Sequence, residues 1–279
     1  MKEKKEEKEI THSELNIERW PIFSTLAHTR WQGKSREIIR EQQIGEEIVK
    51  QKIVIHYVDR IGTLGAAEYK LFQFVVYKLL KQNSKDGIYR FTLRDLIREL
   101  TDVEKPGARH YEQVIKSMMR CRSVLIDFEN SFRNKRGEIV TFKEPITLFS
   151  SLKIFERKKD VIKSDQEYFG FSEIEIHPVI WQSIKEKNIK PLRFDVIKKL
   201  NSDVSVLLYK HLDLVMFDKK TYERDIVELA EDVGITEKRT REIRKRLLKA
   251  AKELEGKELT SGRIKKIEIV KSETGSGWK

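Results

Sequence analysis

The sequence predicts an α+β protein built from two tandem winged-helix domains, each a helix-turn-helix followed by a β wing. Three observations predict it. One order of elements occurs twice with a weak sequence echo: an apolar helix, a short strand, a capped second helix, a third helix and a hairpin with a basic tip. The 279 residues suit two units at ~100 to 200 residues each. Within a formal net charge of +12, a local surplus of Lys and Arg falls on the third helix of the second unit.

Residues 1 to about 14 mix Lys and Glu with almost no apolar content, which predicts a solvated tail or a frayed helix. Apolar content begins at Trp20-Pro21-Ile22-Phe23, and Ile53 to Val58 is β-branched enough for a strand. Residues 24 to 47 are ambiguous, so 1–47 is read as an N-terminal tail and arm.

The first winged-helix domain is placed at residues 48–188. From Gly65 to Gln82, Tyr69, Phe72, Phe74, Val75, Val76, Leu79 and Leu80 cover more than half of a helix's circumference, the pattern of a central buried helix. A strand at Tyr89-Arg90-Phe91 follows. Thr92-Leu93-Arg94-Asp95 has capping-box form and opens a second helix to about Leu100. Pro106-Gly107 breaks the chain before a third helix over 108–122. Ser123 to Glu129 reads as a strand and Ile139 to Phe142 as its return, with Arg133, Lys135 and Arg136 on the wing between them. A further hairpin is expected from Ile146 to Glu156 and Tyr168 to Ile176, then a short helix at Pro178 to Lys187.

The second domain is placed at residues 189–271, after a short connection near Asn188 to Leu192. Its apolar helix spans Ser202 to Phe217, Thr221-Tyr222-Glu223 fits a short strand, and Asp225 repeats the capping logic for a helix ending near Gly234. Thr236 is the expected N-cap of a long third helix reaching Leu254. Lys257 to Leu259 and Ile264 to Val270 make a second wing around Ser261-Gly262. Residues 272–279, with their Gly-Ser-Gly, are expected to form a flexible tail.

At 100° per residue, Ile243, Leu247, Ala250, Ala251 and Leu254 fall on one side of the last helix, while Lys238, Arg241, Lys245, Lys249 and Lys252 project from the other. Residues 236 to 253 hold eight Lys or Arg against three Glu, so this face cannot neutralise itself through i,i+4 pairs and needs a polyanionic partner. In the first domain, Arg109, Gln113, Lys116 and Arg120 lie opposite Tyr111, Val114, Ile115 and Met118. Arg can donate two hydrogen bonds to guanine and Gln can pair with adenine, whereas Lys more often meets phosphate. Arg133 and Arg136 in the first wing, with Arg263, Lys265 and Lys266 in the second, are placed to grip flanking phosphates or a narrow minor groove. The alternative is a solvated, ion-paired surface, since charged residues make up 37% of the chain.

Enzymatic chemistry finds little support. His12, His28, His56, His110, His177 and His211 show no metal-ligand spacing, and no Walker loop, nucleophile elbow or His-Glu-x-x-His motif occurs. No cofactor is expected, and neither a catalytic residue nor a metal site is assigned. His211 is read as a packed residue and Cys121 as core. Tyr168 and Tyr222 can be imagined as nicking nucleophiles, but neither has a His pair nearby in sequence to hold the metal. A single cysteine excludes an internal disulfide framework. With no signal-like or membrane-length apolar run, a soluble cytoplasmic protein with no membrane partner is expected.

Glu18-Arg19-Trp20-Pro21-Ile22-Phe23-Ser24, Leu64-Gly65-Ala66-Ala67-Glu68-Tyr69, and Lys198 to Ser202 running through Leu208-Tyr209-Lys210-His211-Leu212, with Glu253-Leu254-Glu255-Gly256, together resemble segments of the plasmid replication initiator proteins of the replication initiator A type. The resemblance spans roughly residues 15 to 270. It implies a protein that binds repeated duplex DNA sites at a plasmid origin, helps open adjacent A·T-rich DNA and recruits host replication proteins, with a homodimer repressing its own synthesis. Its recognition-helix positions fall on Arg241 and Lys245, with Lys238 and Lys249 beside them. A winged-helix transcription regulator is the alternative.

Overall fold

The polar N-terminal segment folds as a strand. β1 (Ile10–Glu14) lies antiparallel to residues 189–193, with Ile10 opposite Arg193 and Glu14 opposite Ile189. The tail or frayed helix expected here is therefore corrected for its described part. Thr11, Ser13 and Glu14 are buried. Hydrogen bonds make that burial tolerable: the Glu14 carboxylate accepts from the Ile17 amide at 2.9 Å, capping α1 (Leu15–Arg19), and from the Asn16 carboxamide at 2.7 Å. The computed structural model describes residues 9–25, 35–44, 46–58, 61–155, 171–271 and 278.

The ambiguous stretch before residue 47 supplies β2 (Ser35–Ile44), which forms a long hairpin with β3 (Glu47–His56). α2 (Ala66–Lys81) buries Tyr69, Leu71, Phe72, Phe74, Val75, Val76 and Leu79, as its apolar pattern requires. β4 (Ile88–Phe91), α3 (Leu93–Thr101) and α4 (Ala108–Ser123) follow close to their expected bounds. The Asp95 amide donates to the Thr92 hydroxyl at 3.2 Å, which is the cap the Thr-x-x-Asp spacing predicts.

The first wing pairs differently from expectation. β5 (Leu125–Glu129) does not take residues 139–142 as its return strand but pairs with β3, Phe128 opposite Ile53 and Ile126 opposite Ile55. All four side chains are buried, so this pairing covers apolar surface that a free wing would leave wet. The basic loop closes as its own small hairpin, β6 (Phe132–Arg133) with β7 (Ile139–Val140). The Asn134 carboxamide oxygen braces it, accepting from the Arg136 and Glu138 amides at 2.9 and 3.0 Å. β8 (Phe149–Lys153) and β9 (Ser172–Ile176) form the expected further hairpin, extended by β4 along β9, and α5 (Pro178–Lys185) follows. Tyr168 lies outside the described residues.

The expected short connection near Asn188 to Leu192 is β10 (Ile189–Arg193), the partner of β1, and it runs straight into α6 (Phe194–Lys199) against α2. Asn188 donates to the Arg133 carbonyl at 2.9 Å and Lys190 pairs with Asp213 at 2.5 Å, so this segment is fastened on both sides.

α7 (Asp203–Val215), α8 (Ile226–Val233) and α9 (Thr240–Leu254) make the second helix-turn-helix. Thr221-Tyr222-Glu223 forms no strand. Thr236 is not the N-cap of α9. The left-handed Gly234 ends α8 and the buried Ile235 folds back to donate to the Ala230 carbonyl at 2.7 Å, so residues 235–239 carry the chain across and the helix begins only at Thr240. The second wing shrinks to a tight turn with a single bridge between Glu258 and Arg263, and residues 264–270 are not a strand. What holds the turn is α7: the Asp213 carboxylate accepts from the Thr260 amide at 2.7 Å and its hydroxyl at 2.9 Å. Of the tail expected to be flexible, residues 272–277 lie outside the described set, while Trp278 pairs with Lys271 and its carbonyl accepts from the Ile226 amide at 2.9 Å.

One hydrophobic core runs through both halves. The segment Trp20 to Ser24 sits inside it, with the Phe23 ring edge-on to Tyr69 at 5.1 Å. Beside it the buried Glu18 carboxylate accepts from Ser13 at 2.6 Å, Tyr69 at 3.0 Å and Gln73 at 3.1 Å. Lys210 of α7 donates to the carbonyls of Glu18 at 2.7 Å and Trp20 at 3.1 Å, and burial pushes its amine down to about 8. The arm thus stitches α2 to α7 and holds the second helix-turn-helix on the first.

Candidate nucleic-acid interface

The last helix is amphipathic as its 3.6-residue period predicts. Ile243, Leu247, Ala250, Ala251 and Leu254 are all buried, so the opposite face must point to solvent. Arg241, Lys245, Lys249 and Lys252 stand exposed on it, and none forms an ion pair with a described residue. Lys238 is exposed as well but lies in the connecting segment ahead of the helix. One nearby acid is turned away: the Glu253 carboxylate accepts from the Asn201 amide at 2.6 Å and the Ser205 hydroxyl at 2.5 Å. Those bonds hold its carboxyl below the usual range despite partial burial. Glu253 therefore works as a cap for the start of α7, and the stripe stays positive.

A groove runs along this face from Thr240 to Lys252, with Leu248 in it and Trp278 as one wall. Arg244 stacks on the Trp278 indole at 4.0 Å. The helix wheel did not single out either residue, because the contact needs the chain end to fold back. The N-terminus of α8 is already occupied, with Asp225 capping Val227 at 2.8 Å and Trp278 taking the Ile226 amide, so the positive surface here is built from side chains.

On the first third helix, α4, the structure keeps three of the four outward residues. Arg109, Gln113 and Lys116 are exposed, and Lys116 pairs with Glu112 at 2.5 Å. Arg120 is a correction. Its guanidinium turns inward to the fully buried Glu68 at 2.9 Å and donates to the Ile61 carbonyl at 2.8 Å, because a carboxylate with no water around it needs a cation. In the wings, Arg133 is wrapped onto its own hairpin, donating to the Gly137 carbonyl and to Gln42, each at 2.9 Å. Arg136 and Lys265 are exposed, while Arg263 faces Glu258 at 3.3 Å. The hairpin tips are thus split between free cations and ones already held.

Tyr222 sits 2.9 Å from His211, whose imidazole burial pushes down to about 4. No group of three metal-ligating side chains occurs among the described residues. Cys121 is buried, as expected of core.

The family described as Initiator Replication protein, WH1, matches residues 47–213, from the start of β3 into α7. The chain belongs to that family. It is a replication initiator of α+β, winged-helix fold. Two solved structures resemble the initiator across both halves. Selenomethionine derivatives of domains 2 and 3 of RctB superpose with a TM-score of 0.55 at 11% identity, covering 87% of the initiator and 85% of that chain. A second structure of RctB domains 2–3 gives 0.53 at 13%, covering 82% and 80%. At these identities the likeness is one of fold. No curated protein matches the initiator in sequence. No described helix of it is long and apolar enough to cross a membrane.

Proposed function

We propose that this initiator binds repeated duplex DNA sites at a replication origin, with α9 in a major groove and α4 as a second, weaker reading helix, and that it acts without enzymatic chemistry of its own. The observation that carries this reading is the exposed stripe of Arg241, Lys245, Lys249 and Lys252, none of which is ion-paired to a described acid and which outnumbers Glu242, the acid in the first turn of the same helix. A duplex supplies that charge at one phosphate per ~1.7 Å of axis, and each contact releases counterions, so binding is strongly salt-dependent. Arg241 lies in the first turn of α9, and on this reading it reaches base edges, as the N-terminal residues of a recognition helix do. Lys249, two turns on, meets phosphate on the same reading.

Two alanine variants separate these roles. Arg241→Ala costs ~1 to 3 kcal/mol on the specific repeat and less on random duplex, while Lys249→Ala weakens both alike and lowers the salt slope by about one. Anisotropy of labelled duplexes over a salt series measures both. Wild-type affinity in both variants would remove α9 from the interface.

A further inference from the structure

A guanidinium carries five N–H donors in one plane, and stacking on an aromatic ring occupies its face while leaving its edge free. Arg244 is in that state. Its Nε is buried without a hydrogen-bond partner, and no ion pair to a described residue involves it. The main chain that carries the ring beneath it is held from two sides, by the Ile226 amide donating to the Trp278 carbonyl at 2.9 Å and by the bridge from Trp278 to Lys271. The Lys271 amine also lies 5.9 Å from the same ring, so two cations share one indole, neither ion-paired to a described acid. Arg241, Lys245 and Lys249 line the same groove.

From this geometry we propose that Trp278 is a positioning residue for Arg244, holding its guanidinium edge toward a phosphodiester of duplex DNA lying along α9. The proposal rests on the reading of α9 as the DNA-binding helix. It adds a contact that comes from the chain end. Stacking selects one rotamer of a side chain that would otherwise sample many, so the phosphate meets a preformed donor set. Such a contact positions the protein without reading sequence.

Its test uses the full chain and a fluorescein-labelled duplex of random sequence. Arg244→Ala is expected to weaken binding about tenfold and to lower the salt slope by about one. Trp278→Ala is expected to weaken it about two- to fivefold, Trp278→Phe to restore it, and Trp278→Leu, which fills space without a π face, to behave like alanine. With Lys271→Ala as the common background, so that the second cation on the indole drops out, the loss in Arg244→Ala/Trp278→Ala should equal that of Arg244→Ala alone, since Trp278 then acts only through that side chain. Wild-type affinity in Trp278→Ala and Trp278→Leu, tighter binding in either, or additive losses would overturn the proposal. The Lys249→Ala variant run alongside keeps the two ideas apart. If it loses affinity while the Trp278 variants do not, α9 still binds DNA and only this contact fails. If Lys249→Ala and Arg244→Ala both bind as wild type, the reading of α9 fails first.

Discussion

Gly234→Ala is expected to destabilise the initiator by about 3 kcal/mol or more, while Gly256→Ala costs only about 1 to 2 kcal/mol. Both glycines hold left-handed backbone, with φ of +82° and +77°. They differ in what surrounds them. A β-carbon on Gly234 would stand 2.2 Å from the Phe23 carbonyl oxygen and 3.3 Å from the Ser24 α-carbon, whereas one on Gly256 meets nothing within 4 Å. The arm is also bonded there, the Thr25 amide donating to the Gly234 carbonyl at 3.0 Å. An added methyl must therefore push backbone against backbone at the elbow of the second helix-turn-helix. Denaturant melts of the two variants measure the difference. Equal losses would mean that the arm does not press on this elbow.

The second large effect lies in the first half. Arg120→Ala strands the Glu68 carboxylate, which is fully buried and among the described residues keeps the Ser117 hydroxyl at 2.7 Å and the Gly65 amide at 2.8 Å. Breaking a buried pair by removing one partner costs ~3 to 5 kcal/mol, and this one also frees the Ile61 carbonyl from its donor. Arg120→Lys recovers part of that, because one ammonium cannot match the fork that bonds Glu68 and Ile61 together. DNA affinity of the folded variant should equal that of wild type. A stable Arg120→Ala protein with weakened DNA binding would return Arg120 to the reading face.

The contrast between Arg120 and its neighbours shows what a sequence can and cannot announce. The buried seam from Ile243 to Leu254 and the apolar α2 follow from the 3.6-residue period, since both elements meet the core through contacts repeated along one helix. Thr92 and Asp225 cap where their spacing says. What stayed hidden is non-local. β1 is legible as polar, and its burial depends on Glu18, Gln73 and Asn188 arriving from elsewhere to bond it. β2, with the sequence SREIIREQQI, lacks apolar alternation and is a strand because β3 pairs with it. β5 had two possible partners, and the buried faces of Ile53 and Ile55 decided between them. On a helix wheel Arg120 points outward, yet its long side chain bends back to a charge on another helix. Trp278 follows a Gly-Ser-Gly stretch that reads as loose chain, and nothing in its neighbours signals the return to α9.

Hydroxyl-radical footprinting of a confirmed monomer on duplex DNA flanking its own gene tests the proposed two-module account most directly. On the proposed reading, the two helices of one chain would occupy successive major grooves on one face of the duplex, whose spacing is one turn of ~10 bp. The account predicts two protected stretches one turn apart within ~20 bp, on an asymmetric site, from a single chain. Protection confined to about half a turn, or a strictly palindromic site that requires two chains, would contradict it.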